Sequence, residues 1–404
     1  MRLAVVSPFV DRRHGTERAL AELLDRLAYK YGCEIHLYAQ RVEDLHLGSV
    51  EKLASPPSGV IVWHRVPSIP GPHLLQFLFW ICLSEIFIWA DAVLRKRSFD
   101  HVLSPGINGF SADVVIVHAL FHRLRELSVQ AKSETASASA GFLRGAHRRL
   151  YYAILSGLER RIYSNRNVAL VSVSRRIAVL LEKYFNRRDV TVIPNGVDTS
   201  YFSRTARLAL RAEGRKRRGL RDDEIVLLLL GNDWGTKGLP AVLEAMSSLK
   251  HLPLRLIVVG NDDPRPFRAK AEQLGVQQLC LWETPGPNVL DFYAAADLYV
   301  SPSREDSFGL PVLEAMACGL PIITSAFAGV SDLLHDGVNS FILNDPCEAA
   351  SLAQSINLLC EQPELRDRIG QAAEKTAATF SWDRNAEDIW ALLKTTSKLG
   401  MSKE

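Results

Sequence analysis

The segment from Ser301 to Pro321 reads Ser-Pro-Ser-Arg-Glu-Asp-Ser-Phe-Gly-Leu-Pro-Val-Leu-Glu-Ala-Met-Ala-Cys-Gly-Leu-Pro, and it constrains the fold more than any other part of the chain. Leu298 to Val300 supply a short apolar strand before it. Pro311 suits the first position of a helix, where its missing N–H costs nothing. Val312, Leu313, Ala315, Met316 and Ala317 give that helix a face to pack on a sheet, and Gly319 and Pro321 stop it. The segment therefore predicts strand, polar loop, helix and turn into the next strand. Its loop delivers Ser307, Phe308, Gly309 and Leu310 to a helix N-terminus, where backbone N–H groups and the positive end of the helix dipole suit a phosphate. Gly309 permits close approach of a ligand to the backbone. Asp306 and Glu314, eight positions apart, are predicted to face one cleft, Glu314 from the first helical turn. In isolation such a pair reads as a turn cap and a complement to the helix dipole; the flanking residues change that reading.

The whole run resembles the E-x7-E signature of the retaining GT-B glycosyltransferases of glycosyltransferase family 4, with Asp306 standing where the usual motif has its first glutamate. The run Ile193-Pro194-Asn195-Gly196-Val197-Asp198 is similar to the linker joining the two lobes in that family. Pro194 forces an extended approach and Asn195-Gly196 a tight turn. The resemblance implies an α/β fold of the GT-B type, two Rossmann-like doubly wound domains facing a central cleft. Residues 1–194 are expected to form the acceptor-side domain, 195–380 the sugar-nucleotide domain, and 381–404 a helix crossing back to the first.

The composition fits two such domains. With 404 residues, 47% of them apolar, the chain is long enough to build sizeable cores. Its six cysteines form no C-x-x-C pair, so neither a zinc site nor a disulfide framework is indicated, and a reduced, cytoplasmic setting is expected. The first strand, from Arg2 to Val6, runs straight into a loop, unlike a signal peptide. The net charge of +3 is split unevenly: residues 1–198 carry 26 Lys and Arg against 18 Asp and Glu, whereas 199–404 carry 22 against 27. A basic N-terminal half suits an anionic partner such as a membrane surface or a phosphorylated acceptor, or is an ordinary solvated surface. No nucleic-acid partner is expected. Leu74 to Leu94 is apolar and aromatic but interrupted by Gln76, Ser84, Glu85 and Asp91. Two readings compete: a core helix of the first domain, or a helix lying in a membrane interface with Trp80 and Trp89 at headgroup level. Ser128 to Ala140 is low in complexity and reads as a loop, and Arg204 to Arg221, with eight basic residues, as an exposed helix and loop.

Further site residues follow from position. Asp113 to His118 reads as a strand ending in a histidine, where a parallel sheet places ligands beyond its strands, and His122 is the runner-up. Gly15 lies in the first strand-to-helix loop. Gly231-Asn232-Asp233-Trp234-Gly235-Thr236-Lys237-Gly238 is the corresponding loop of the second domain and resembles that of lipopolysaccharide-core glucosyltransferases. By the resemblance, Lys237 with Asn232 and the amides of Phe308 to Leu310 meets the donor diphosphate. Glu314 holds the donor ribose, Asp306 lies by the donor sugar, His118 orients the sugar or acceptor, and Gly15 approaches the donor or acceptor. No Asp-x-Asp occurs, so no metal and no cofactor is called for; the nucleotide sugar is a substrate.

These features predict transfer of a hexose from a nucleotide-diphosphate sugar, UDP-linked before GDP-linked, to a glycan or lipid-linked acceptor in surface polysaccharide or lipopolysaccharide assembly, in the cytoplasm or at the cytoplasmic face of the inner membrane. Two other classes fit the same motifs: a GT-B sugar-nucleotide epimerase or phosphorylase, and a noncatalytic membrane-associated scaffold. A dinucleotide-dependent oxidoreductase fits less well, because no G-x-G-x-x-G follows either opening strand.

Overall fold

A computed structural model of the chain describes residues 1–47, 59–134, 142–286 and 288–400. Two compact units are present, Met1–Pro194 together with Trp382–Glu404, and Asn195–Ser381.

The first unit contains β1 (Arg2–Val6), β2 (Phe9–Val10), α1 (Gly15–Tyr29), β3 (Glu34–Ala39), β4 (Arg41–Val42), β5 (Val60–Arg65), α2 (His73–Val93), β6 (His101–Pro105), β7 (Val114–Val117), α3 (Phe121–Glu134), α4 (Phe142–Tyr163), β8 (Ala169–Ser172), α5 (Arg175–Phe185) and β9 (Val190–Val192). Seven strands form a sheet in the order β5-β3-β1-β6-β7-β8-β9, every pairing parallel. Such a sheet is buried on both faces, which is why β1 and β7 are runs of apolar residues without alternation. The chain's terminal helix, Trp382–Gly400, returns to this unit, where Trp390 stacks on Tyr31 and the carbonyl of Leu393 lies 2.9 Å from Nε2 of His101.

The second unit contains α6 (Arg204–Arg217), β10 (Ile225–Leu230), α7 (Leu239–Ser248), β11 (Leu254–Val259), α8 (Arg265–Gln273), β12 (Cys280–Glu283), α9 (Leu290–Ala295), β13 (Leu298–Ser301), α10 (Leu310–Ala317), β14 (Ile322–Ser325), β15 (Phe341–Leu343), α11 (Ala349–Glu361) and α12 (Pro363–Ala377). Its six-stranded sheet runs β12-β11-β10-β13-β14-β15, again all parallel. In both sheets the first strand of the unit sits third in the row, with later strands added on either side. This is the doubly wound arrangement, whose ligands bind beyond the strand ends where the order reverses. In the second unit that point lies between β10 and β13.

Three sequence expectations are corrected. The helix that Pro311 opens begins one residue earlier, at Leu310, and Glu314 lies in its second turn. The stretch read as a loop from Ser128 is helical as far as Glu134, and its remainder lies outside the described residues. The arginines of α6 are not a solvated face. Arg207 and Arg215 are buried, Arg211 and Arg215 bind the Asp297 carboxylate and the carbonyls of Ala296 and Ala295, and Arg218 pairs with Glu283 and Asp291. A guanidinium satisfies carbonyls and carboxylates together, so a basic helix can line the unit's interior.

Candidate functional site

The site in the second unit is built by two loops that meet at the reversal point. The first follows β10 and spans Gly231 to Gly238. Trp234 plugs it into the core, buried, edge-on to Phe267 and tilted against Trp282. The second follows β13. The carbonyl of Thr236 accepts the amide of Arg304 at 2.7 Å, and Gly238 rests on the backbone of Pro302. A side chain at Gly238 would bring its Cβ to 2.2 Å from the Pro302 carbonyl oxygen, and φ here is +83°, so only glycine fits.

This stitching brings Lys237 and Asp306 together. Lys237 Nζ donates to Asp306 Oδ2, with the two side chains only 15% and 14% exposed. Asp306 Oδ1 accepts the amide of Phe308 at 3.3 Å, and the Asp306 backbone bonds to Phe327 and Gly329 on the loop after β14. Through its carboxylate and its backbone, Asp306 is thus a fixed node between three loops. Gly309, at φ +94°, turns the chain into α10, and among the described residues the amides of Gly309 and Leu310 donate to no group of the protein. These two amides, with Lys237 beside them, form a site for negative charge at a helix start. Phe308 was expected to contribute its amide as well; that amide is turned to Asp306 instead. Ser307 is part-exposed in the same loop.

Glu314, 3% exposed, is the buried acid of α10. Tyr293 on α9 donates its hydroxyl to Glu314 Oε2 at 2.7 Å. Burial and the facing carboxylate push the Tyr293 hydroxyl far above its ordinary range, which keeps it a proton donor. Asn232 is exposed, and its Oδ1 accepts the amide of Asn261 at 3.0 Å, so this side chain braces the loop.

His118, His122 and Gly15 lie in the first unit. His118 follows the last residue of β7, its Nδ1 buried and without a hydrogen-bond partner among the described residues. Burial pushes its pKa down to about 4, so the ring is neutral. His122 is engaged elsewhere: its Nδ1 lies 2.6 Å from Glu159, a fully buried carboxylate that also accepts the amides of Phe121 and His122. Glu159 therefore caps α3, and His122 belongs to that cap. Gly15 is the first residue of α1. The turn before it is held by buried Asp11, which accepts the amides of Arg13 and His14 at 2.8 and 2.9 Å.

Asp11, Glu159, Tyr293 and Trp234 were missed in the sequence. Each acts through a partner distant in the chain or through a backbone amide, and no spacing rule marks such residues. A further cluster of His36, His64 and Asp91 places ligand-type atoms within 4.8 Å of one another. Asp91 already accepts from Tyr38, Arg95 and Arg97 at 2.8 to 2.9 Å, and the two imidazoles bond to each other at 2.8 Å. Two guanidiniums on one carboxylate oppose a further cation there.

Comparison with known proteins supplies the family. Residues 13–201 match the model of Glycosyltransferase Family 4, and residues 211–376 that of Glycosyl transferases group 1. The chain is 27% identical over 324 residues to the lipopolysaccharide glucosyltransferase WaaG of Escherichia coli (strain K12), covering 76% of this chain and 81% of that one. A crystal structure of WaaG, a glycosyltransferase involved in lipopolysaccharide biosynthesis, shares its fold with a TM-score of 0.74 at 21% identity, over 97% of this chain and 99% of the other. HepE of Anabaena, crystallised with UDP-glucose, has a TM-score of 0.68 at 16% identity, over 98% and 100%. The D-inositol 3-phosphate glycosyltransferase of Stackebrandtia nassauensis is 30% identical over 246 residues, 57% of this chain, and the match spans about half (54%) of that relative's length. Two contiguous family matches and a pair of doubly wound parallel sheets agree: the chain belongs to the group 1 glycosyltransferases and has the GT-B fold.

Proposed function

We propose that the protein transfers a hexose from a nucleotide-diphosphate sugar to a glycan or lipid-linked acceptor, with retention of anomeric configuration, in the assembly of a surface polysaccharide or lipopolysaccharide. The carrying observation is the juxtaposition of Lys237 with the amides of Gly309 and Leu310, which have no acceptor among the described residues. Charge grows on the diphosphate as it leaves, and groups fixed in advance at that place stabilise the transition state; one such donor is worth about 3 kcal/mol. Buried Glu314, held by Tyr293, takes the ribose hydroxyls. Asp306 lies by the donor sugar while gripping Lys237. His118 is the sugar- or acceptor-orienting group of the first unit, and Gly15 the close-approach point of its first loop. UDP-glucose bound by HepE, and the glucosyltransferase activity in the name of WaaG, favour a UDP-hexose over GDP-mannose. The reading puts the work in the cytoplasm or at the cytoplasmic face of the inner membrane, a surface that the basic N-terminal half suits.

The test is a panel of UDP-, GDP- and ADP-sugars incubated with the protein, with and without acceptor lipid extracts. The reading expects slow donor hydrolysis for one base and faster loss when acceptor is added. Formation of an epimer or a sugar phosphate without acceptor replaces it with an epimerase or phosphorylase. No turnover and no calorimetric binding of any donor replaces it with a scaffold.

A further inference from the structure

The long apolar helix α2 divides its surface between the two readings its sequence offered. One face belongs to the core of the first unit: Leu74, Trp80, Ile81 and Ile88 are buried, and Trp80, Ile81 and Ile88 pack with Val6, Tyr38 and Val66. Three polar residues of the helix are tied to the same unit. Ser84 is buried, Glu85 accepts the amides of Phe110 and Ser111, and Asp91 binds Tyr38 at 2.8 Å. The other face is apolar and exposed. Leu75, Ile86, Trp89 and Val93 recur at helical spacing with 53 to 58% of their surface open, and Leu94 is 71% open just beyond the helix. Trp80, expected at a membrane headgroup level, is instead buried at 1% exposure, and Trp89 alone of the two is presented outward.

The exposed row continues past the helix. Phe110, whose amide is bound by Glu85, is 42% exposed, and the guanidinium of Arg161 lies 5.4 Å from its ring centre. At the C-terminal end Arg95, Lys96 and Arg97 follow without a break, and Arg95 and Arg97 pair with Asp91. An apolar strip rimmed by positive charge, on the unit that carries the chain's excess of basic residues, is complementary to anionic lipid.

We infer that the outward face of α2, with Phe110 beside it, seats the first unit on an anionic lipid bilayer, the helix lying in the plane of the interface. The helix is 21 residues long and apolar enough to cross a membrane by composition. Crossing would pull Trp80 and Ile88 from the core and break the bonds of Glu85 and Asp91, so the helix lies on the surface and does not span. This seat rests on and deepens the membrane-face part of the proposed function, and it uses no donor site residue. Vesicle binding is measured without sugar nucleotide, so its failure and the failure of that reading are separate results.

The experiment is co-sedimentation of the full chain with phosphatidylcholine vesicles, with and without phosphatidylglycerol. Binding is expected to the anionic vesicles, to weaken several-fold on raising salt, and to be reversed by alkaline carbonate. The double variant Ile86→Gln/Trp89→Gln should bind at least tenfold more weakly, with an unchanged thermal midpoint because both side chains are exposed. Lys96→Glu, near the surface, should lose roughly fivefold or more. Equal binding of wild type and double variant, no binding to any vesicle, or resistance to carbonate extraction would each overturn the inference. So would a wild-type dimer that the double variant dissolves without any lipid binding, since the face would then cover a second copy of the chain.

Discussion

Lys237 and Asp306 form an ion pair across 69 positions of sequence, and the pair joins the loop after β10 to the loop before α10. It exists because Gly238 lies flat on Pro302 and Thr236 receives the amide of Arg304, which fixes both loop backbones before any side chain is placed. The cation expected to meet the diphosphate is thus held ready by the carboxylate expected to lie by the sugar.

Replacing the cation separates catalysis from stability. The pair is largely shielded, but without the cation the Asp306 carboxylate keeps the Phe308 amide and some contact with water, so the cost to folding is expected to be about 1–2 kcal/mol, below that of a fully buried pair. Lys237→Ala is expected to lower turnover by roughly 100-fold while the thermal midpoint stays within a few degrees. Asp306→Glu should retain the pair and change the preference among donor hexoses, read as a ratio of kcat/KM values. Turnover within threefold of wild type for Lys237→Ala removes this residue from the site.

Glu314 and Tyr293 are expected to act as one unit. Glu314→Ala should reduce turnover by roughly 100-fold. Tyr293→Phe, which leaves the acid in place but removes its bond to the Tyr293 hydroxyl, should mainly raise the donor KM, by several-fold. Because the two share one hydrogen bond, their combined effect should be smaller than the product of the separate effects. Full additivity in the double-mutant cycle would show that Tyr293 does not position Glu314.

Gly238→Ala tests the loop stitching itself. The added methyl meets the Pro302 carbonyl, and the residue must also keep a left-handed backbone, so a loss of at least about 2 kcal/mol is expected. Chemical denaturation measures it. The same change at Gly337, also at positive φ but with nothing within 4 Å of its Cβ, should cost less.

The first unit should weaken in mild acid. Burial lowers the pKa of His36, that of His64 to about 4 and that of His118 to about 4. The unfolded chain takes up these protons near pH 6.5, before the folded one does. Stability is therefore full above about pH 6.5 and falls as the pH drops towards 4. Thermal midpoints across that range should decline, and His64→Asn should flatten the decline. An identical slope in that variant would contradict the assignment.

The parallel sheets were legible because their strands are short apolar runs: the strand read at Leu298 to Val300 is β13, one residue longer. The run from Ser301 to Pro321 located α10 to within a residue. What the sequence hid is tertiary. Nothing in the spacing tells that Tyr293 holds Glu314, that Glu159 takes His122 for a helix cap, or that Asp306 consumes the amide of Phe308. Each depends on where a second element comes to rest. The arginines of α6 mislead for the same reason, since charge predicts solvent only until carboxylates and carbonyls are brought to it.

The most direct measurement is a crystal structure of the protein with a non-hydrolysed UDP-hexose. The account predicts the diphosphate within hydrogen-bond distance of the Gly309 and Leu310 amides and of Lys237 Nζ, and the ribose hydroxyls on the Glu314 carboxylate. A nucleotide bound elsewhere, with Lys237 still closed on Asp306 and no ribose hydroxyl on Glu314, would contradict it.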